Sequence, residues 1–327
     1  MHDTMSDIGA WPRWADAASA GWSAATLAEA KAYSETIDTA AVMVVAGGRV
    51  VAAWGTVAKD YNVHSIRKSL LSALFGIHEA EGRIDLEATL EKLCIDDKQG
   101  LTEREKLATV LNLLTARSGI YHPSGYESPW MISIKPARGT AGPGTAWCYN
   151  NWDFNALGTI FCKLTGADIY SDFAGRIGGP LGMEDFSPRE HGQYVELPES
   201  DHPAYPFRMT ARDLARFGEL FLRRGRWGGR QIVPTAWVDA SVLPYSDAGT
   251  GGAYGYMWWV AREGILFPGV VVPRGTYAAL GAGGHKVIVL PALDAVVVHR
   301  VDTDQKGKEV TNLQFGRLLR MILGAAG

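Results

Sequence analysis

Apolar residues follow two different periods along the chain. Ala41-Val-Met-Val-Val-Ala46 and Val50-Val-Ala-Ala-Trp54 are short apolar runs rich in β-branched residues. With Gly47-Gly48-Arg49 between them they predict a β-hairpin. An alanine-rich stretch over 26–36 precedes it and reads as helix. From Ser65 the period becomes helical, with Ile66, Leu70, Ala73, Leu74 and Ile77 on one stripe and Gly82 as the stop. Further helices are predicted over 86–93, 102–116 and 155–165, with loops rich in glycine and proline at 118–129 and 138–145. Thr210-Ala-Arg-Asp213 predicts a capping box ahead of Leu214, Phe217 and Phe221. From about residue 250 strands return over 257–260 and 276–281. A hairpin follows, with strands 287–290 and 295–298 around Pro291-Ala-Leu-Asp294. Leu313, Leu318, Leu319 and Ile322 mark a closing helix.

Strands at both ends and helices between them imply a mixed fold, α/β plus all-α. The terminal strands join in one antiparallel sheet, covered by the first and last helices, with a helical lobe inserted. The expected division is an α/β lobe from 1–64 and 240–327 and a mostly helical lobe from 65–239, with the site in the cleft between. A chain of 327 residues, 47% hydrophobic, has the core for one large domain or two intimate lobes.

A net charge of −3 leaves no basic footprint, so nucleic acid is not an expected partner. Cys94, Cys148 and Cys162 are far apart and form neither a disulfide framework nor a zinc site. No apolar run is long enough for a membrane span, and residues 1–22 lack a signal-type apolar core, which reads as a soluble, cytoplasmic protein. Gly-x-Gly-x-x-Gly, Walker A and Gly-x-Ser-x-Gly are absent, and His78-Glu79 lacks the second histidine of a zinc protease, so no cofactor or metal is expected.

The candidate chemistry starts at Ser65-Ile-Arg-Lys68. Three residues apart on a helix, the Ser65 hydroxyl and the Lys68 amine are neighbours. A serine hydroxyl needs an adjacent base, and a lysine serves if burial or a nearby cation lowers its pKa. The Ser65 N–H, in the first turn, is free to bind an oxyanion. Taken alone, the same residues read as an N-capping serine and a solvated lysine. Arg67 points off that face and reads as a salt-bridge residue. Two further stretches follow in chain order: Tyr149-Asn150-Asn151, and Ala279-Leu-Gly-Ala-Gly-Gly-His285 running into a strand. Alone, Tyr149 reads as a buried tyrosine, Asn151 as a turn residue and His285 as a structural histidine.

In this order the three stretches resemble the serine β-lactamase and penicillin-binding-protein superfamily. The class C-like branch, with its Tyr-x-Asn second motif, is most similar. It includes class C β-lactamases, D-alanyl-D-alanine carboxypeptidases, family VIII-type esterases and 6-aminohexanoate-dimer hydrolases. Leu113-Leu-Thr-Ala-Arg-Ser-Gly119, Pro180-Leu-Gly-Met183 and Gly255-Tyr-Met-Trp-Trp259 add to the likeness, which runs from about residue 40 to 300. The resemblance implies a β-lactamase-like fold with a five-stranded type of sheet. It makes Ser65 the nucleophile, Lys68 its base, and Tyr149 a second acid/base group. Asn151 is to orient Lys68 and bind substrate, and the N–H groups of Ser65 and Ala282 are to form the oxyanion hole. The third motif ordinarily carries a cation and a hydroxyl, and here reads Ala279-Leu280-Gly281. That departure implies a small, uncharged amide or ester as the partner molecule, with Leu280, Gly281, His285, Tyr121 and Trp152 as pocket residues. Tyr126, Trp130 and Trp147 are further aromatic candidates. Two alternatives stay open: a β-lactamase or D-amino-acid peptidase specificity on the same site, and a non-catalytic binding or scaffold role.

Overall fold

The valine-rich runs at the two ends of the chain meet in one sheet. The computed structural model describes residues 8–327; the first seven, part of the stretch read for a leader, lie outside the described residues. Strands β1 (Thr39–Ala46) and β2 (Arg49–Gly55) form the N-terminal hairpin. Gly47 and Gly48 turn it with φ of 59° and 71°, a left-handed pair that glycine adopts without steric cost. Strands β3 (Tyr277–Gly281), β4 (His285–Leu290) and β5 (Ala295–Val301) come from the far end. The order is β2-β1-β5-β4-β3, antiparallel throughout, with Thr39 opposite Val301. Three two-residue strands, Trp259–Val260, Ala253–Tyr254 and Ser246–Asp247, extend the sheet to eight. The resemblance implies a five-stranded type; of the three further strands Trp259–Val260 falls within the predicted 257–260, and the other two are too short to register as an alternating pattern.

Alternation splits the sheet's side chains between two cores. Val42, Val44, Ile288 and Val297 pack on one face with Leu27 of α1 (Ala24–Ser34) and Phe315 and Leu319 of the last helix, Asn312–Leu323. Met43, Val45, Val287 and Val298 face the other core with α2 (Ile66–Ala80), α3 (Asn151–Thr165) and α4 (Ala211–Leu222). Helix α4 lies directly on this face, against β5, β4 and β1. We number the last helix α5. Among the described residues no helix is long and apolar enough to cross a membrane.

The single apolar stripe read for α2 understates its setting. Every residue from Ile66 to His78 is buried. The polar positions are accommodated by specific acceptors: the Ser69 and Ser72 hydroxyls donate to the carbonyls of Met257 and Tyr256 at 2.7 and 2.8 Å. Two predicted helices are replaced. Residues 86–93 form turns, and 102–116 holds a short turn at Glu105–Leu107 and the helix Val110–Leu114. There the apolar residues are buried by cross-pairing instead, with Leu90 N–H donating to Ala108 and Val110 N–H to Ala88. Thr109, extended, caps the second helix with Asn112 and so breaks the longer one.

The Thr210 box forms by half: Thr210 Oγ1 accepts from the Asp213 N–H at 3.2 Å. The Asp213 carboxylate turns instead to the backbone N–H groups of Glu184, Asp185 and Phe186, at 3.0, 3.1 and 2.9 Å. Replacing it leaves three part-buried backbone donors without their acceptor. Asp213→Ala is expected to lower unfolding stability by about 2–5 kcal/mol, read as a shift in urea midpoint at unchanged m value.

Candidate active site

Ser65 is presented by a strained turn. The short strand Tyr61–Asn62 pairs with Arg208–Met209, and the chain then reverses through His64 at φ 49°. A left-handed histidine costs on the order of 1–3 kcal/mol, and here the Asn62 side chain holds it by accepting the His64 N–H at 2.8 Å. Ser65 follows as the N-cap of α2, yet its side chain makes no capping bond. Its Oγ instead meets Lys68 Nζ at 2.7 Å, and the same nitrogen meets the Tyr149 hydroxyl at 2.9 Å. The three groups that the sequence places in two separate stretches thus form one hydrogen-bonded chain.

The electrostatics follow from burial. Lys68 is 1% exposed, with Nζ 4.6 and 4.7 Å from the ring centres of Tyr149 and Phe154. No carboxylate pairs with it among the described residues. Burial first, and the neighbouring Arg67 charge second, push its pKa well below the ordinary lysine value. Arg67 departs from the salt bridge expected of it. It is buried, donates to Asn155 Oδ1 at 2.7 Å, and lies 4.1 Å from the Tyr205 ring centre. Its Nη1 has no hydrogen-bond partner. Burial pushes the Tyr149 phenol up to about 12, against the pull of the Ser65 hydrogen bond and the Arg67 charge. The arrangement is an amine of depressed pKa between a serine hydroxyl and a protonated phenol. Such a chain can relay a proton without forming a buried carboxylate.

Tyr149 and Asn151 straddle the start of α3, which begins four residues earlier than its apolar period suggests because the Asn150 side chain caps it. Asn151 Nδ2 donates to the carbonyls of Gly125 and Tyr126 at 3.1 and 2.6 Å. Two carbonyls on one side fix the orientation of the amide, and Oδ1 is left buried without a partner. Asn151 makes no hydrogen bond to Lys68.

At the end of β3, a Cβ on Gly281 would stand 2.4 Å from the Val63 carbonyl. Only glycine permits that approach, and it brings Ala282 beside the turn that presents Ser65. The Ser65 N–H, at a helix start, has no intrahelical acceptor. Ser65 and Ala282 both line a cleft of about 1440 Å³.

Of the proposed pocket residues, Leu280 and Gly281 line this cleft, as do Tyr126, Trp130 and Trp147. His285, Tyr121 and Trp152 do not. His285 is wholly buried, its Nδ1 accepting from Arg300 Nε at 2.9 Å and its Nε2 facing Thr303 Oγ1 at 3.2 Å. Trp152 is also wholly buried and donates to Asp97 at 2.6 Å, while Tyr121 is covered without reaching the cleft. Trp259, the segment 264–271 and Lys286 are wall residues that sequence reasoning missed. The unit alternation of β4 was the available signal for Lys286: with His285 turned inward, its neighbour faces the other way.

The β-lactamase family model matches residues 24–318. The chain belongs to the β-lactamase family. Among solved structures, this β-lactamase-family chain is similar to a putative 6-aminohexanoate-dimer hydrolase from Bacillus anthracis. The two are 22% identical, with 90% of this chain and 81% of that one covered at a TM-score of 0.68. It also matches EstCE1, described as a hydrolase with promiscuous acyltransferase activity, at 16% identity, covering 92% and 98% of the two chains with a TM-score of 0.66. A third match is an octameric penicillin-binding protein homologue from Pyrococcus abyssi, at 19% identity, 92% and 77% coverage and a TM-score of 0.65. A curated relative, an uncharacterized protein of Alkalihalophilus pseudofirmus, is 22% identical over 265 residues, 73% of this chain and 72% of its own. The β-lactamase-like fold is thereby shown, and family membership supports serine hydrolase activity in general terms.

The Lys68 setting is directly measurable. NMR titration of the Lys68 side-chain signals is expected to give a midpoint well below that of surface lysines. In Arg67→Met the midpoint should rise, because the second of the two causes is removed.

Proposed function

We propose that the chain is a serine hydrolase that cleaves a small amide or ester through an acyl-enzyme on Ser65. The observation that carries this reading is the Ser65 Oγ–Lys68 Nζ–Tyr149 OH chain, in which the lysine is buried without an acid. The cleft is read as lying between an α/β part, 1–64 with 240–327, and the largely helical 65–239.

In the first half-reaction the neutral Lys68 amine takes the Ser65 proton as Oγ attacks the substrate carbonyl carbon. The carbonyl oxygen becomes an oxyanion, received by the N–H groups of Ser65 and Ala282. Collapse breaks the bond to the leaving amine or alcohol. Tyr149 gives that group its proton and recovers one from Lys68, which is left neutral again. A water then attacks the acyl carbon, its proton passing to the Lys68/Tyr149 pair, and Ser65 departs as the hydroxyl. The buried Asn151 Oδ1 accepts a substrate N–H, a donor that an amide carries and an ester lacks. Tyr126, Trp130, Trp147 and Trp259 give the cleft apolar, aromatic walls. The described hydrolase neighbours, one named for a linear amide dimer and one for acyl transfer, support this substrate range.

The test is Ser65→Ala against p-nitrophenyl esters, aryl amides and nitrocefin, with intact mass read for acyl adducts. Loss of at least about a thousandfold in kcat/KM together with loss of the adduct is expected. Retention of the wild-type rate would sink the nucleophile assignment. Useful nitrocefin turnover would redirect the specificity to β-lactams, and failure of a fluorophosphonate to label folded wild type would point to a scaffold.

A further inference from the structure

Past Leu280 the cleft continues along the outer face of the sheet to a lysine that has no carboxylate. Leu280 and Lys286 stand directly opposite in the β3–β4 register, so their side chains leave the sheet on one face. Both line the cleft into which Ser65 opens. Lys286 is 4% exposed, and its Nζ lies 5.6 and 5.9 Å from the ring centres of Phe267 and Phe315. The ammonium donates to Asn312 Oδ1 at 3.0 Å, one hydrogen bond for three donors. Burial alone, with no acid opposing it, pushes it down to about 8. At neutral pH it is therefore still largely protonated, and uncompensated.

The surroundings add positive potential. Thr311 caps α5 and Asn312 is its first residue, so the wall at Lys286 includes a helix start with its partial positive charge. Arg320 lines the same cleft. Among the described residues of the cleft wall the one carboxylate is Glu309, which is exposed and sits at the rim. An aliphatic side chain would fill the space between Phe267 and Phe315 without bringing a charge into it.

We propose that this arm receives a carboxylate of the substrate, so that the amide or ester cleaved at Ser65 carries an anionic group on one side of the scissile bond. Lys286 supplies the charge and Asn312 orients it. The proposal rests on the reading of Ser65 as nucleophile and narrows its small amide or ester to a singly anionic one, in place of the uncharged molecule that the third motif implies.

The test compares kcat/KM for three esters: p-nitrophenyl hexanoate, which is neutral; mono-p-nitrophenyl adipate, with the carboxylate on the acyl side; and 4-carboxyphenyl hexanoate, with it on the leaving side. Wild type is expected to favour one of the two charged esters over the neutral one by at least about tenfold, and which one assigns the arm to the acyl or the leaving group. Lys286→Met should cost the favoured charged ester at least about tenfold more in kcat/KM than it costs the neutral one, and Lys286→Arg should restore part of that difference. Equal rates on all three esters in wild type would overturn the proposal. So would a loss in Lys286→Met that is the same for neutral and charged esters. Failure of the underlying reading is separate: it appears as neutral-ester hydrolysis that survives in Ser65→Ala.

Discussion

The site depends on burying a lysine with nothing to neutralise it. A charged ammonium in that position is cut off from bulk water and lacks a carboxylate partner among the described residues, so the fold pushes the Lys68 pKa well below the ordinary lysine value. Every neighbouring element contributes to that condition. The α2 helix is enclosed on all sides, Phe154 and Tyr149 close over the amine, and Arg67 brings a second cation that is likewise unpaired. A single aspartate within reach would convert the amine into half of an ion pair and remove its basicity.

Much of this was readable from residue patterns. The two hairpins, α2, the closing helix and their assembly into one sheet follow from period and turn chemistry. Ser65, Lys68 and Tyr149 follow from motif order, and the structure brings the three together. What was not readable is how irregular chain buries itself. Residues 86–116 have helix-like spacing, but their backbone pairs with itself across a turn, because Thr109 and its Asn112 partner favour a break there. The pocket was also only partly legible. Trp152 and His285 have the composition of a binding wall, yet Asp97 and Arg300 claim their polar atoms inside the core. Which partner a buried ring finds is a tertiary fact that spacing does not contain.

Arg300 illustrates how the core serves the site at a distance. Wholly buried, it donates to the carbonyls of Met209 and Tyr61 as well as to His285. Tyr61 and Asn62 lead into the strained His64 turn, and His285 opens β4 just after Ala282. One guanidinium on β5 therefore ties together the approach to Ser65 and the exit from the candidate oxyanion strand. The His64 ring completes the same cluster through Thr303 Oγ1, 2.8 Å away.

The pairing of Thr39 with Val301 has a consequence for how the protein comes into being. The strand β1 is made long before its partner β5, so the centre of the sheet closes only after everything between them has been synthesised. Contacts of such long sequence separation make folding slow relative to a helical bundle of similar size. Helix α2 can gain its local turns well before then, but Gly281 cannot reach Val63 until β3 has docked. During that interval the Ser65 and Lys68 side chains are present without their enclosure, exposed to water and with an ordinary lysine charge. The enclosed Ser65–Lys68–Tyr149 arrangement thus arrives with β3 to β5, as a property of the finished sheet and not of the motif that carries the serine.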